Sequence, residues 1–154
     1  MIRRHFCLTA AALALGATPA LALAADRPPA LLYKNPQCSC CKEYAGNLRA
    51  HGYDVTVKPS FDLSLIKRQN GVPEALDGCH TTLVGGYVVE GHVPVGAIDR
   101  LLDQRPAIKG ISVPGMPAGS PGMLMPGENP RPQTVYEIAA GAAPGATPKV
   151  FSVE

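Results

Sequence analysis

The chain has 154 residues, of which 46% are hydrophobic, 17% charged and 5% aromatic, with sixteen glycines and sixteen prolines. That length accommodates one ordinary domain, and no internal repeat is visible, which excludes a solenoid. The formal net charge of +2 sits at the very start. Removing Arg3 and Arg4 with a 24-residue leader takes Lys plus Arg from 14 to 12, level with the 12 Asp plus Glu. A chain without net charge lacks the concentrated positive field that nucleic acid or an anionic membrane demands.

Residues 1–24 have the three parts of an export signal: a basic start at Arg3 and Arg4, an apolar middle, and an Ala22-Leu23-Ala24 exit. Gly16, Thr18 and Pro19 break the apolar stretch, so it does not form a permanent membrane span. Arg3-Arg4-His5-Phe6 loosely fits the twin-arginine export pattern, but paired arginines are common in any basic start, and the general secretory route is preferred. Cys7 leaves with the leader. Residues 25–154 then form a single domain of 130 residues.

Ala30-Leu31-Leu32-Tyr33 is a short apolar run ending at Asn35-Pro36, a buried strand. Cys41, Tyr44, Ala45 and Leu48 then recur at helical spacing on one face, with His51-Gly52 as the stop. Tyr53, Val55 and Val57 alternate as a second strand ending at Pro59. Asp62 caps a short helix through Leu63, Ile66 and Gln69, closed by Gly71. Thr81–Val84, Gly85-Gly86 and Tyr87–Glu90 spell a hairpin, because two glycines suit the positive φ values of a tight primed turn. Pro94 opens a third helix with Val95, Ile98, Leu101 and Leu102 inward, ended by Arg105-Pro106.

The resulting order is β-α-β-α-β-β-α, an α/β chain whose first two strands are parallel across a helical crossover. Residues 109–132 hold six prolines and five glycines, which argues against regular structure there. The C-terminal extension, residues 133–154, offers a strand at Thr134–Ala139, a loose linker at Gly141–Pro148, and an edge strand or frayed tail at Lys149–Glu154.

Four cysteines remain after export: Cys38, Cys40, Cys41 and Cys79. Two structural disulfides are the ordinary reading for an oxidising compartment. The spacing opposes it, because three cysteines lie within four residues and only one of them can join Cys79. The other two would close a very small, strained and reducible ring. A cluster this dense suits chemistry better than stapling. It also sits at the entry to the first helix, where unpaired N–H groups and the helix dipole favour thiolate, the nucleophilic and metal-ligating form.

The segments CSCC (38–41), CHTTLVGGYVVEGHVP (79–94) and GISVPGMPAGSPGM (110–123) together resemble the CopG-like periplasmic copper proteins. The element order and cysteine placement resemble a thioredoxin-like fold. The resemblance implies a periplasmic protein of copper resistance that binds Cu(I) through Cys38, Cys40, Cys41 and Cys79, as a multinuclear copper–thiolate cluster, and exchanges metal with other periplasmic copper-handling proteins. In thioredoxin-like folds a cis-proline faces the helix-entry cysteines. Gly78-Cys79-His80-Thr81 holds that place here, without a proline, which counts against an ordinary disulfide exchanger.

Soft thiolates and thioethers select Cu(I), with zinc the natural competitor for the same sulfurs. Secondary ligand candidates are His80, His92, Met116 and Met123, with Met125 weaker still. Each has a plainer role: His80 in an alternating strand can point away from Cys79, His92 is equally at home as a hydrogen-bonded structural residue, and methionine commonly fills cores. His51 reads as solvent-facing, and Lys34 and Lys42 as surface cations that can favour thiolate. Two further functions compete with copper sequestration or handover. One is a thiol–disulfide or copper-coupled oxidoreductase with Cys38 attacking and Cys41 resolving; the other is a closed zinc site.

Overall fold

The structure is a computed structural model, and it describes residues 27–141 and 145–154. The leader at 1–24, with Cys7, and residues 142–144 of the linker lie outside the described residues.

The chain runs β1 (Ala30–Lys34), α1 (Ser39–Ala50), β2 (Val55–Pro59), α2 (Leu63–Gln69), a single 3-10 turn (Glu74–Leu76), β3 (His80–Val84), β4 (Tyr87–Glu90), α3 (Val95–Gln104), β5 (Gly110–Ser112), β6 (Thr134–Ile138) and β7 (Val150–Val153). The α/β order expected up to α3 is the order found. One mixed seven-stranded sheet, in the order β2-β1-β3-β4-β5-β6-β7, carries all the strands among the described residues. β1 and β2 are parallel, as a helical crossover requires. β3 and β4 form the antiparallel hairpin, with Gly85 and Gly86 at φ +56° and +89° in its turn.

The expectation that 109–132 holds no regular structure fails at its start. Gly110–Ser112 forms β5, parallel to β4 and antiparallel to β6. The composition concealed it because three residues are too few to show a period, and because Gly110 is itself needed for pairing: a Cβ there would lie 1.9 Å from the Val88 carbonyl oxygen. The C-terminal segment is a paired edge strand, β7, rather than a frayed tail.

The sheet buries both faces. On one, Leu32, Val89, Ile111 and Val135 pack beneath Tyr44, Ala45 and Leu48 of α1 and Ala97, Ile98 and Leu101 of α3. The four buried residues of α1 are those its periodicity selects, Cys41, Tyr44, Ala45 and Leu48. On the other face Val72 and Leu76 cover Val88 and Ile138. Val88 and Val89 therefore serve opposite layers, as the pleat dictates. α2 departs from expectation. Leu63 and Ile66 are only half-buried, and its one buried residue is Lys67.

Register places the site. β1 pairs antiparallel with β3 so that Lys34 lies opposite His80. Cys79, one residue earlier, therefore meets the β1–α1 connection that carries the other cysteines.

Candidate metal centre

Asn35 organises the β1–α1 turn: its side-chain oxygen accepts from Gln37 N–H at 2.9 Å and its carbonyl from Cys38 N–H at 3.0 Å. Cys38 thereby becomes the N-cap of α1, its sulfur accepting from Cys41 N–H at 3.3 Å. Cys40 and Cys41 follow in the first turn. Cys41 is buried, while Cys38, Cys40 and Cys79 are partly exposed.

Cys38 and Cys41 form a disulfide with a Cα separation of 5.5 Å, and Cys40 and Cys79 are free. Free thiols flank the bridge on both sides: Cys40 Sγ is 3.3 Å from Cys38 Sγ, and Cys79 Sγ is 3.8 Å from Cys41 Sγ. All four sulfurs lie within 4.8 Å of one another. The sulfur-gathering expected of the fold is thus present, with two of the four atoms joined in the small C-x-x-C ring.

A second set of donors shares Cys79. The Cys79 sulfur lies 2.9 Å from His92 Nε2 and 3.2 Å from His80 Nδ1, and these three donor atoms also fall within 4.8 Å of one another. His80 does not point away from Cys79. His92 Nδ1 is 2.7 Å from the carbonyl oxygen of Pro121. A carbonyl only accepts, so Nδ1 carries the hydrogen and the Nε2 lone pair faces the thiol. His80 Nε2, by contrast, is buried with no hydrogen-bond partner among the described residues, an orphan polar atom of the kind that calls for a ligand or a water.

Tyr44 packs the two rings in place, with centroids 4.5 Å from His80 and 5.3 Å from His92, and donates its hydroxyl to Val93 O at 2.8 Å. Burial pushes the Tyr44 hydroxyl far up, so it stays protonated. Burial also pushes the Cys79 thiol up to about 12, with neighbouring Cys40 adding to the effect. It holds both imidazoles below their usual value, His80 the more strongly. The Cys79–His92 contact is therefore a neutral S–H···N hydrogen bond rather than a thiolate–imidazolium pair. This thiol must lose its proton when it takes up a metal.

The loop at 113–132 closes over this end. Gly122, at φ +79°, lies against α1 so tightly that a Cβ would sit 2.7 Å from Tyr44 N. Met123 next to it is half-buried, while Met116 and Met125 are 56% and 66% exposed. Lys42 is exposed as expected, but Lys34 is buried and donates to the carbonyls of Asn35 and Pro36. His51 is exposed, its Nδ1 2.8 Å from Asn47 O. Sequence reasoning missed Lys67 and Glu90, a buried ion pair bonded to Gly78, the neighbour of Cys79. Glu90 lies in the quoted hairpin segment, yet strand alternation reads a strand-end carboxylate as solvated.

Residues 76–123 match a family described as a protein of unknown function, DUF411. Two solved structures, titled copper resistance protein CopG form 2 and form 1, are similar to the chain. The first is 33% identical with a TM-score of 0.72, the second 34% identical with a TM-score of 0.71. Each comparison covers 82% of this chain and 98% of the other. No curated protein sequence matches the chain. Among the described residues, no helix is long and apolar enough to cross a membrane.

Proposed function

Because the chain belongs to the family of the copper resistance protein CopG, we propose that it binds Cu(I) in the periplasm through Cys38, Cys40, Cys41 and Cys79, sequestering the ion or handing it to other copper-handling proteins. One observation carries the reading: four sulfurs from two segments far apart in sequence lie within 4.8 Å of one another. Thiolate is the donor Cu(I) prefers, and each thiolate has lone pairs to bridge two ions. Three sulfurs from one helix tip and one from the residue just before β3 suit a bridged, multinuclear arrangement better than a single closed tetrahedron. His80 Nδ1 and His92 Nε2, 3.2 and 2.9 Å from the Cys79 sulfur, give imidazole donors beside it. Met123 lies on the closing loop. In this reading the chain up to Gln104 is a thioredoxin-like unit, and the 109–132 loop with the C-terminal strands is its extension.

The disulfide sets the order of events. Cys38 and Cys41 must take up two electrons and two protons from a thiol reductant before all four sulfurs become ligands. Each thiol then yields its proton to solvent as copper binds. Anaerobic Cu(I) titration of the reduced protein tests the proposal. More than one copper per chain is expected, with sulfur-to-copper charge-transfer absorption, and Cys79→Ser lowers the stoichiometry or the affinity. Zinc retained against a copper challenge, or unchanged binding in Cys79→Ser, refutes it.

The Cys38–Cys41 disulfide favours a second reading, a thiol–disulfide oxidoreductase in which Cys38 attacks and Cys41 resolves. Catalytic reduction of a protein disulfide, abolished by Cys38→Ser, would support it.

A further inference from the structure

Lys67 and Glu90 lie outside the set of sulfurs and imidazoles, yet the bonds between them and their neighbours end on the segment that carries Cys79. Glu90 closes β4 with no exposed surface. Its Oε1 accepts from Lys67 Nζ and, at 2.8 Å, from Gly78 N–H, while its Oε2 accepts from the Thr81 hydroxyl at 2.7 Å. Lys67 Nζ also donates to the Gly78 carbonyl oxygen at 2.5 Å. The carboxylate therefore holds one polar group of Gly78 and the ammonium holds the other, and Thr81 is tied on the far side. Cys79 and His80 are the two residues between these anchors. The seat has little slack, since a Cβ on Gly78 would lie 2.6 Å from Gly91 Cα. On the loop side Gly115 N–H donates to Asp77 O at 2.8 Å.

A buried ion pair is a poor stabiliser compared with an apolar pair of the same volume. Its presence under this one segment calls for a role other than stability. We propose that Lys67 and Glu90 are positioning residues that hold the Cys79 sulfur within reach of the three helix-entry sulfurs. The idea rests on the copper reading of that cluster. Neither side chain touches a sulfur in any hydrogen bond described above; both act through the Gly78 peptide groups, fixing the backbone from which the Cys79 side chain projects. A proline at this place would lock the backbone covalently. Here glycine leaves it free, and the ion pair supplies the restraint.

The test is a chelator competition for Cu(I), with bicinchoninate as competitor, on the reduced full chain. Lys67→Met and Glu90→Leu each weaken copper retention about tenfold, the scale of one lost charge-assisted hydrogen bond. Glu90→Gln recovers most of that loss, because its oxygen still accepts from Gly78 N–H and its amide can donate to Thr81. Combined with Cys79→Ser, the Lys67→Met penalty shrinks, because the clamp acts chiefly through that sulfur. A second arm needs no copper. In a chain with Cys38→Ser and Cys40→Ser, diamide closes Cys41 and Cys79 into a disulfide, followed by peptide mass mapping, and Lys67→Met slows closure about tenfold.

A Lys67→Met penalty that persists undiminished beside Cys79→Ser, or an unchanged closure rate, overturns the proposal. Should wild-type protein bind no Cu(I) while closure still depends on Lys67, the copper reading falls and the positioning role stands. If Lys67→Met fails to fold, Thr81→Val removes a single anchor and carries the same two readouts.

Discussion

Gly122 offers the sharpest test of how the closing loop is held. Replacing it with alanine imposes two separable costs. A Cβ at φ +79° costs about 1–2 kcal/mol in a left-handed conformation. The same Cβ would meet Tyr44 N at 2.7 Å and Tyr44 Cα at 2.9 Å, both backbone atoms of a packed helix that cannot swing aside. Relieving such a contact costs about 1–3 kcal/mol. Gly127 is the control, because it also has a positive φ, +87°, but nothing lies within 4 Å of its added Cβ. Gly122→Ala should therefore destabilise the copper-free protein by about 2 kcal/mol more than Gly127→Ala, a Tm difference of about 6 °C for a chain of this size. Thermal unfolding followed by circular dichroism reads the difference. The protein can also answer by lifting the loop, which breaks the Pro121–His92 hydrogen bond and exposes the ring. Burial is the larger influence and holds the His92 pKa down, whereas the Pro121 bond holds it up, so NMR titration would then show a net move back up towards the ordinary value. Equal Tm values for the two variants, with His92 unmoved, refute the close packing of loop on helix.

Three further outcomes follow from the site. His80 and His92 are held neutral by burial, so below about pH 6.5 the unfolded chain takes up protons that the folded one refuses; their contribution is complete above that pH and declines below it. Copper-free protein should lose about 1–2 kcal/mol between pH 7 and 5.5 by urea unfolding, and a flat profile there would show that neither ring is buried neutral. Glu90, raised chiefly by burial against the pull of Lys67, acts with the opposite sign, adding stability as pH falls towards the ordinary carboxylate value. Tyr44→Phe leaves the Val93 carbonyl without its 2.8 Å donor and should cost about 1–2 kcal/mol in the same assay, and no loss would mean water replaces the hydroxyl. At pH 7 iodoacetamide should alkylate Cys40 well before Cys79, whose thiol is pushed up to about 12 by burial; equal rates by mass mapping would contradict this.

Apolar periodicity was a dependable guide where one face of an element meets the core. It selected Cys41, Tyr44, Ala45 and Leu48 on α1, and on α3 it found Ile98 and Leu101. Local chemistry was equally readable: Asp62 caps α2 by accepting from Leu65 N–H at 2.9 Å, and Arg105, at φ +48°, ends α3. The expectation that Cys79 faces the helix-entry cysteines came from the resemblance to a thioredoxin-like fold; the antiparallel pairing of β3 with β1 that puts it there was not legible in the sequence. Long-range polar pairing was invisible. Lys67 belongs on the solvent side of any hydrophobic pattern, and only the three-dimensional fold shows a buried carboxylate waiting for it. The tautomer of His92 depends on Pro121, 29 residues away in an irregular loop, which no periodicity encodes.

The sulfur of Cys38 does two jobs: it is bonded to Cys41, and it also accepts the Cys41 N–H in the first turn of α1. Substitutions at this position therefore differ in kind. Serine keeps an acceptor at the mouth of the helix and removes only the soft-donor and redox chemistry, whereas alanine also unties the first turn on which Cys40 and Cys41 ride. Any lesson about reactivity drawn from the alanine form would be confounded by fraying, and the hydroxyl replacement is the one that isolates the element sulfur.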